Sequence, residues 1–339
     1  NLWKRSFTGD FTLYRKRSIP VRKVSLGNDK DIVEAKKRCT AQYTKGYERE
    51  FILNINNDFV RSISQDDLQE LKGILGRNFS THPYRRSEEM ILSSSFDGFN
   101  GERITHLQIK GVVFDTRSKL NDFVLAVRRK MVYGFDDKIK MARSDQASAQ
   151  GTMYLDAAVN EFLHTCDAYY NRRLYEMVAV KAPIGWGEFT SAEYNGERLG
   201  FVVFGYLFRN NYRSESVRAK PGYFYKYGYA LRLWHQAGFI HPYLHLGNIT
   251  LGENIPVIHD LDCAKRLSRD QLNEREFLAN RIMDLLYIAS HNHFRNNEQA
   301  AIAFIAGYFA GLPLPDIKRI KEELLLLGAA VQKGRHVRL

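Results

Sequence analysis

Residues 199–207 restrict the fold more than any other stretch. They read Leu199-Gly200-Phe201-Val202-Val203-Phe204-Gly205-Tyr206-Leu207 and are nearly all apolar. A short run of this kind belongs in the middle of a sheet, where both faces are covered. It therefore needs partner strands and packing on both sides. Further strand-like stretches lie at residues 12–14, 51–53, 104–109, 123–127 and 175–180. An amphipathic helix is expected at 155–169, with Leu155, Val159, Phe162, Leu163 and Cys166 on one face. A second helix is expected at 66–75, with capping oxygens from Ser64 and Asp66. The Ser93-Ser94-Ser95 run before Asp97, Gly98 and Gly101 reads as a turn-rich surface segment. Residues 134–152 read as mostly loop.

Beyond residue 222 the period changes. Helices are expected at 224–239, closed by Gly238, and at 271–291, 296–309 and 315–331, with Pro313 and Pro315 separating the last two. Two short β segments, 248–251 and 256–259, flank the polar loop Gly252-Glu253-Asn254. A strand-rich half thus precedes a helix-rich half, joined near 208–222, and the class is α+β. Residues 1–100 read as an extension or accessory layer.

Composition removes several classes. With 44% hydrophobic and 26% charged residues among 339, most of the chain is not disordered. No apolar run is long enough to span a membrane. Cys39, Cys166 and Cys263 are too few and too scattered for a disulfide framework or a cysteine metal site, which fits a cytoplasmic or other reducing compartment. The formal charge is +12, from 50 basic against 38 acidic residues. Eight basic groups (Lys4, Arg5, Arg15, Lys16, Arg17, Arg22, Lys23, Lys30) crowd the first thirty residues. Two readings stand: a solvated basic surface, or a contact for an acidic protein or a nucleic acid.

Chemistry concentrates in His241-Pro242-Tyr243-Leu244-His245-Leu246-Gly247-Asn248 and Val257-Ile258-His259-Asp260-Leu261-Asp262. An Asn on a loop, a short hairpin and an Asp at a strand end place two hard oxygen donors together. Mg²⁺ takes such donors, and phosphoryl-transfer sites use them to hold metal against phosphate. Asn248 and Asp260 are the metal candidates. A turn cap for Asn248 and an ordinary hairpin role for Asp260 are the plainer alternatives.

This stretch resembles the catalytic and metal-binding loops of the protein-kinase-like superfamily. In that family's pattern the third loop position is a catalytic Asp, where this chain has Tyr243. Asp260-Leu261-Asp262 resembles the small-molecule kinases of the aminoglycoside phosphotransferase type, with Asp replacing the usual final Gly. A closer resemblance is to the selenoprotein O family, which moves AMP from ATP onto protein hydroxyls. It is carried by Gly101-Glu102-Arg103, Lys110-Gly111, Asn160-Glu161-Phe162-Leu163, Trp234, Gly238-Phe239 and His241 over roughly residues 101–270. The resemblance implies a two-lobed fold, with an N-lobe at 101–207 carrying an insertion near 115–150 and a helical C-lobe at 208–339. It implies ATP and Mg²⁺ as cofactors, Lys110 on the phosphates, and Glu161 paired with Lys110. Lys138, Lys140 and Lys181 are rivals to Lys110. The family's Asp before the loop Asn is Gly247 here, and its glycine-rich run after the Lys is Val112-Val113-Phe114. With both carboxylate-base positions vacant, His245 is the candidate base and His259 a second. Two functions follow: phosphoryl or AMP transfer from Mg-ATP to a hydroxyl, or a catalytically inactive pseudokinase that binds a partner.

Overall fold

The computed structural model describes residues 29–82, 87–115, 128–133, 138–144, 152–171, 174, 180–194, 197–206, 212–213, 221–242, 244, 246–251, 256–290, 294, 296–333 and 337–338. The expected strands at 12–14 and 123–127, residues 175–179, and the basic run from Lys4 to Lys23 lie outside them.

The strand-rich part contains α1 (Asp29–Lys37), β1 (Cys39–Thr44), β2 (Phe51–Asn56), α2 (Gln65–Gly76), β3 (Ser80–His82), β4 (Ser87–Asp97), β5 (Arg103–Lys110), β6 (Val113–Asp115), β7 (Arg128–Tyr133), β8 (Lys138–Ser144), β9 (Met153–Tyr154), α3 (Leu155–Tyr169), β10 (Ala182–Tyr194) and β11 (Glu197–Tyr206). One antiparallel sheet runs β1-β2-β10-β11-β5-β4, with β9 also on β11.

The apolar run is β11, and it is central, between β10 and β5. Its side chains alternate between two cores, as the two-residue period of a strand requires. Phe201 and Val203 enter a cluster with Phe51, Leu53, Leu107 and Ile109. Val202 and Phe204 enter another with Val159, Phe162 and Leu163 of α3. Full burial of each such side chain contributes roughly 1.5–3 kcal/mol, so this strand fixes α3 against the sheet.

Several expectations need correction. Ser93, Ser94 and Ser95 lie inside the long strand β4 rather than in a turn. Pairing to β5 explains this: a register shift between Ile91 and Phe96 absorbs the serines at the sheet edge. The turn comes later, where the Gly98 amide donates to the Glu102 carbonyl. Within the expected loop at 134–152, residues 138–144 form β8, paired to β7. At α2, Ser64 is the cap, accepting from the Asp67 amide at 3.1 Å. Asp66 sits within the first turn instead.

The helix-rich part holds β12 (Tyr212–Arg213), α4 (Pro221–Gln236), β13 (Phe239–Ile240), β14 (Ile249–Leu251), β15 (Pro256–Ile258), β16 (Lys265–Arg266), α5 (Glu274–Ser290), α6 (Glu298–Tyr308), α7 (Leu314–Gln332) and β17 (Val337–Arg338). Phe239, expected at the end of a helix, instead pairs in β13 with Arg266 of β16. Phe224, Leu231, Trp234, Leu286, Phe304 and Ile320 share one core. Helices α4 and α6 touch backbone to backbone. A Cβ on Gly228 would overlap the Phe304 carbonyl, and one on Gly307 would overlap that of Tyr225. Among the described residues, no helix is long and apolar enough to cross a membrane.

Candidate functional site

Lys110 ends β5, and the chain must turn immediately after it. Gly111 makes that turn at φ +94°, where an added Cβ would lie 2.5 Å from the Gly200 carbonyl oxygen of β11. Both the left-handed backbone and the close approach call for glycine. Gly111→Ala should therefore destabilise the chain by about 1–3 kcal/mol, read as a lowered urea midpoint.

The Lys110 ammonium donates to both carboxylate oxygens of Glu161, each at 2.7 Å, and to Asp260 Oδ1 at 2.6 Å. Its side chain is 20% exposed, Glu161 2% and Asp260 35%. Glu161 is buried because α3 packs against the sheet, so its charge needs a partner. Burial pushes the Glu161 carboxyl up to about 7, against the pull of Lys110. Burial alone would lower the Lys110 ammonium, but Asp260 and Glu161 outweigh it and hold it above the ordinary lysine range. For Asp260, burial is overcome by the charge and hydrogen bond of Lys110, which hold the carboxyl well below the usual range.

Asp260 is held by an uncommon backbone. It adopts φ 65°, ψ 50°, one of two described non-glycine residues at positive φ. Such a conformation costs about 1–3 kcal/mol and persists only where the surroundings impose it. They do so here. Upstream, β14 and β15 pair, and the His259 amide donates to the Asn248 carbonyl at 3.1 Å. Downstream, Leu261 is buried and its carbonyl accepts from Ala264, closing a tight turn over Leu261–Cys263. From α3, Asn160 Nδ2 donates to the Asp262 carbonyl at 2.7 Å. The hairpin thus joins the Asn248 and Asp260 strand ends, and Asn248 itself is buried in the turn Leu246–Asn248.

Beneath the loop lies a buried polar chain. Asp284 Oδ2 accepts the His241 amide at 2.8 Å and pairs with His235 Nε2 at 3.0 Å. His235 Nδ1 lies 2.6 Å from the Tyr308 hydroxyl, which also accepts from Arg281 Nη2 at 3.2 Å. With Nε2 carrying the proton, every one of these contacts has a donor and an acceptor. Burial pushes the Asp284 carboxyl well up and the His235 imidazole well down. His241 Nε2 reaches the His259 carbonyl at 3.1 Å, tying the start of the loop to the residue before Asp260.

The structure therefore brings Lys110, Glu161 and Asp260 into contact, with Asn248 on the adjoining hairpin. His245 and Tyr243 lie outside the described residues. The His259 backbone serves the hairpin through both its amide and its carbonyl. Lys181 lies elsewhere, donating to Gln108 at 2.7 Å and lying over the Tyr206 ring. Sequence reasoning missed Asn160 and Asp284. The signal for Asp284 was available: a lone acid within Ile282-Met283-Asp284-Leu285-Leu286 is a buried acid that needs donors.

No protein-family model matches the chain, and no curated protein matches it. Solved structures give low-scoring likenesses. WaaP in complex with acyl carrier protein aligns at 18% identity and TM-score 0.38, covering 64% of this chain and 95% of that one. The PAN3 pseudokinase of Neurospora crassa aligns at 13% identity and TM-score 0.31, covering 78% of this chain and 64% of that one. The MAP kinase LmaMPK10 from Leishmania major aligns at 12% identity and TM-score 0.26, covering 82% and 93%. Scores this low carry no functional weight.

Proposed function

We propose that the chain has a kinase-like, two-lobed organisation, binds a magnesium nucleotide at Lys110, Glu161, Asn248 and Asp260, and transfers a phosphoryl or AMP group to a hydroxyl. One observation carries this reading: a lysine ammonium fixed between a buried helix carboxylate and a half-exposed carboxylate on a constrained loop. An ammonium so placed presents charge to an anionic ligand without wandering. The donor set also fits Mg²⁺. Asp260 offers a carboxylate and Asn248 a carboxamide oxygen, both hard donors. Among the described residues no cluster of three or more His, Cys, Asp or Glu forms a metal cage. Mg²⁺ takes one or two carboxylates and fills its shell with water and phosphate. When bound, the ion would neutralise phosphate charge. Lys110 would bind phosphate oxygens, Glu161 would keep Lys110 in place, and His245 is the remaining candidate to take the hydroxyl proton.

Incubation with ATP labelled separately at the α- and γ-phosphate tests the reading. Transfer of the γ label marks a kinase, and transfer of the α label marks AMP transfer. Tyr243, at the position where the resembled pattern has its catalytic Asp, favours a second reading, an inactive binding module. Metal-dependent ATP binding with neither label transferred would decide for it.

Glu161 makes the site sensitive to pH. Its carboxyl titrates at about 7 in the folded chain against 4.5 ordinarily, so the folded state holds the proton more tightly. Its contribution to stability is complete below 4.5 and is lost as pH rises through about 7. Ligand binding should run the other way. Once ionised, Glu161 takes a larger share of Lys110 and leaves Asp260 freer for metal. Magnesium-dependent nucleotide affinity should rise with pH as Glu161 ionises, and Glu161→Gln should flatten the profile at lower affinity.

A further inference from the structure

The elements that carry Glu161 and Asp260 continue past them and meet again. On α3, His164 contacts Asp270 at 3.2 Å, and Asp167 pairs with Arg266 at 3.2 Å and Arg269 at 2.8 Å. Arg38, just beyond α1, reaches Asp167 at 3.2 Å and Glu34 at 3.0 Å. Beside this junction lies a cleft of about 380 Å³ lined by Arg38, Cys166, Asp167, Tyr170, Asn171 and Arg266. Its volume is within the usual range for small-ligand sites.

The charge of the lining is uneven. Asp167 is 6% exposed and shared among three guanidinium groups, whereas the Arg38 and Arg266 side chains remain 33% and 31% exposed. Each guanidinium has five N–H donors. Arg38 spends one nitrogen on Glu34 and Asp167 and also contacts the Cys166 thiol, and Arg266 spends one on Asp167 while its plane lies over the Phe239 ring. Of the other nearby acids, Glu34 pairs with Arg38 and Arg269, Asp31 sits in the field of Arg269, and Asp270 is held by His164; none of the three lines the cleft. Two arginine forks from separate elements, flanked by an Asn amide and a Tyr ring, suit a tetrahedral anion with an organic body.

We infer that this cleft binds a phosphate monoester, gripped by Arg38 and Arg266. The ester joins the residue that follows α1, the end of α3 and β16, so it shares α3 with Glu161 and sits a few residues beyond the turn that follows Asp260. Its binding does not depend on nucleotide chemistry at Lys110. The ester belongs either to a small molecule or to a phosphorylated side chain.

Phenyl phosphate titrated into the full chain without divalent metal, followed by calorimetry and phosphorus NMR, tests the assignment. Saturable binding is expected, weakened about tenfold by Arg38→Gln or Arg266→Gln. Arg266→Lys, which keeps the charge and loses the fork, should give an intermediate loss and serves if the glutamine variant fails to fold. A phosphoserine peptide binding more tightly than phenyl phosphate would assign the ester to a side chain, and the reverse order would assign it to a small molecule. Absence of saturable binding, equal binding of acetate, or binding that follows Lys110 instead of the two arginines would each overturn the assignment.

Discussion

Asp260→Ala should abolish magnesium-dependent nucleotide binding while leaving the chain folded. The carboxylate does two things at once. It pairs with Lys110 at 2.6 Å, and it is the charged donor for a cation. Removing one partner of a hydrogen-bonded charge pair typically costs about 2–5 kcal/mol, most of it in the charge left behind. Here Lys110 keeps both oxygens of Glu161, so the cost to folding is moderated. The left-handed backbone adds a smaller cost, because alanine adopts that region less readily than aspartate, but against a typical folding free energy of about 5–15 kcal/mol the chain stays folded. The loss should therefore fall on the ligand. Calorimetric titration of ATP with and without Mg²⁺ would show metal-dependent binding in wild type and none in the variant. Unchanged binding in Asp260→Ala would remove the basis of the proposed function.

Asp284→Ala should act on the opposite ledger, through folding. Its carboxylate accepts the His241 amide and pairs with His235, both fully buried. Truncation leaves these donors without an acceptor. At about 1–3 kcal/mol for each unsatisfied buried group, the total reaches roughly 2–6 kcal/mol. That is a large share of a typical folding free energy of about 5–15 kcal/mol. Chemical denaturation should show a much lower midpoint for alanine and a small shift for Asp284→Asn, which keeps an acceptor oxygen in place. Equal effects of the two substitutions would mean that the hydrogen bonds do not hold the loop.

Much of this architecture was legible because local physics decided it. The period of α3 gave its bounds, and the apolar run of β11 gave its central place, since burial on both faces leaves few other options for such a strand. The hairpin of β14 and β15 was readable from its flanks. The serines of β4 misled because serine favours turns only when the backbone lacks a better partner, and β5 supplies one. The strand β8 was missed because its pairing with β7 is what makes it a strand. The attachment of β1, β2 and β4 to the same sheet as β10 and β11 depends on pairings across long stretches of chain, which no local pattern encodes. At the site, residue types suggested Lys110, Glu161, Asn248 and Asp260 as a set. The contact of Lys110 with both carboxylates, the grip of Asn160 on the Asp262 carbonyl and the support from Asp284 required the fold.

The ion triad also says when the site can come into being. Lys110 is 51 residues from Glu161 and 150 from Asp260 in sequence. Loops this long close at an entropic cost that no single ion pair repays. During folding the three side chains meet only after the sheet has formed, α3 has docked on it, and the hairpin before Asp260 has packed against its own helices. The site is a late product of assembly, and any competence it has to bind a ligand reports that the sheet, α3 and the hairpin have come together.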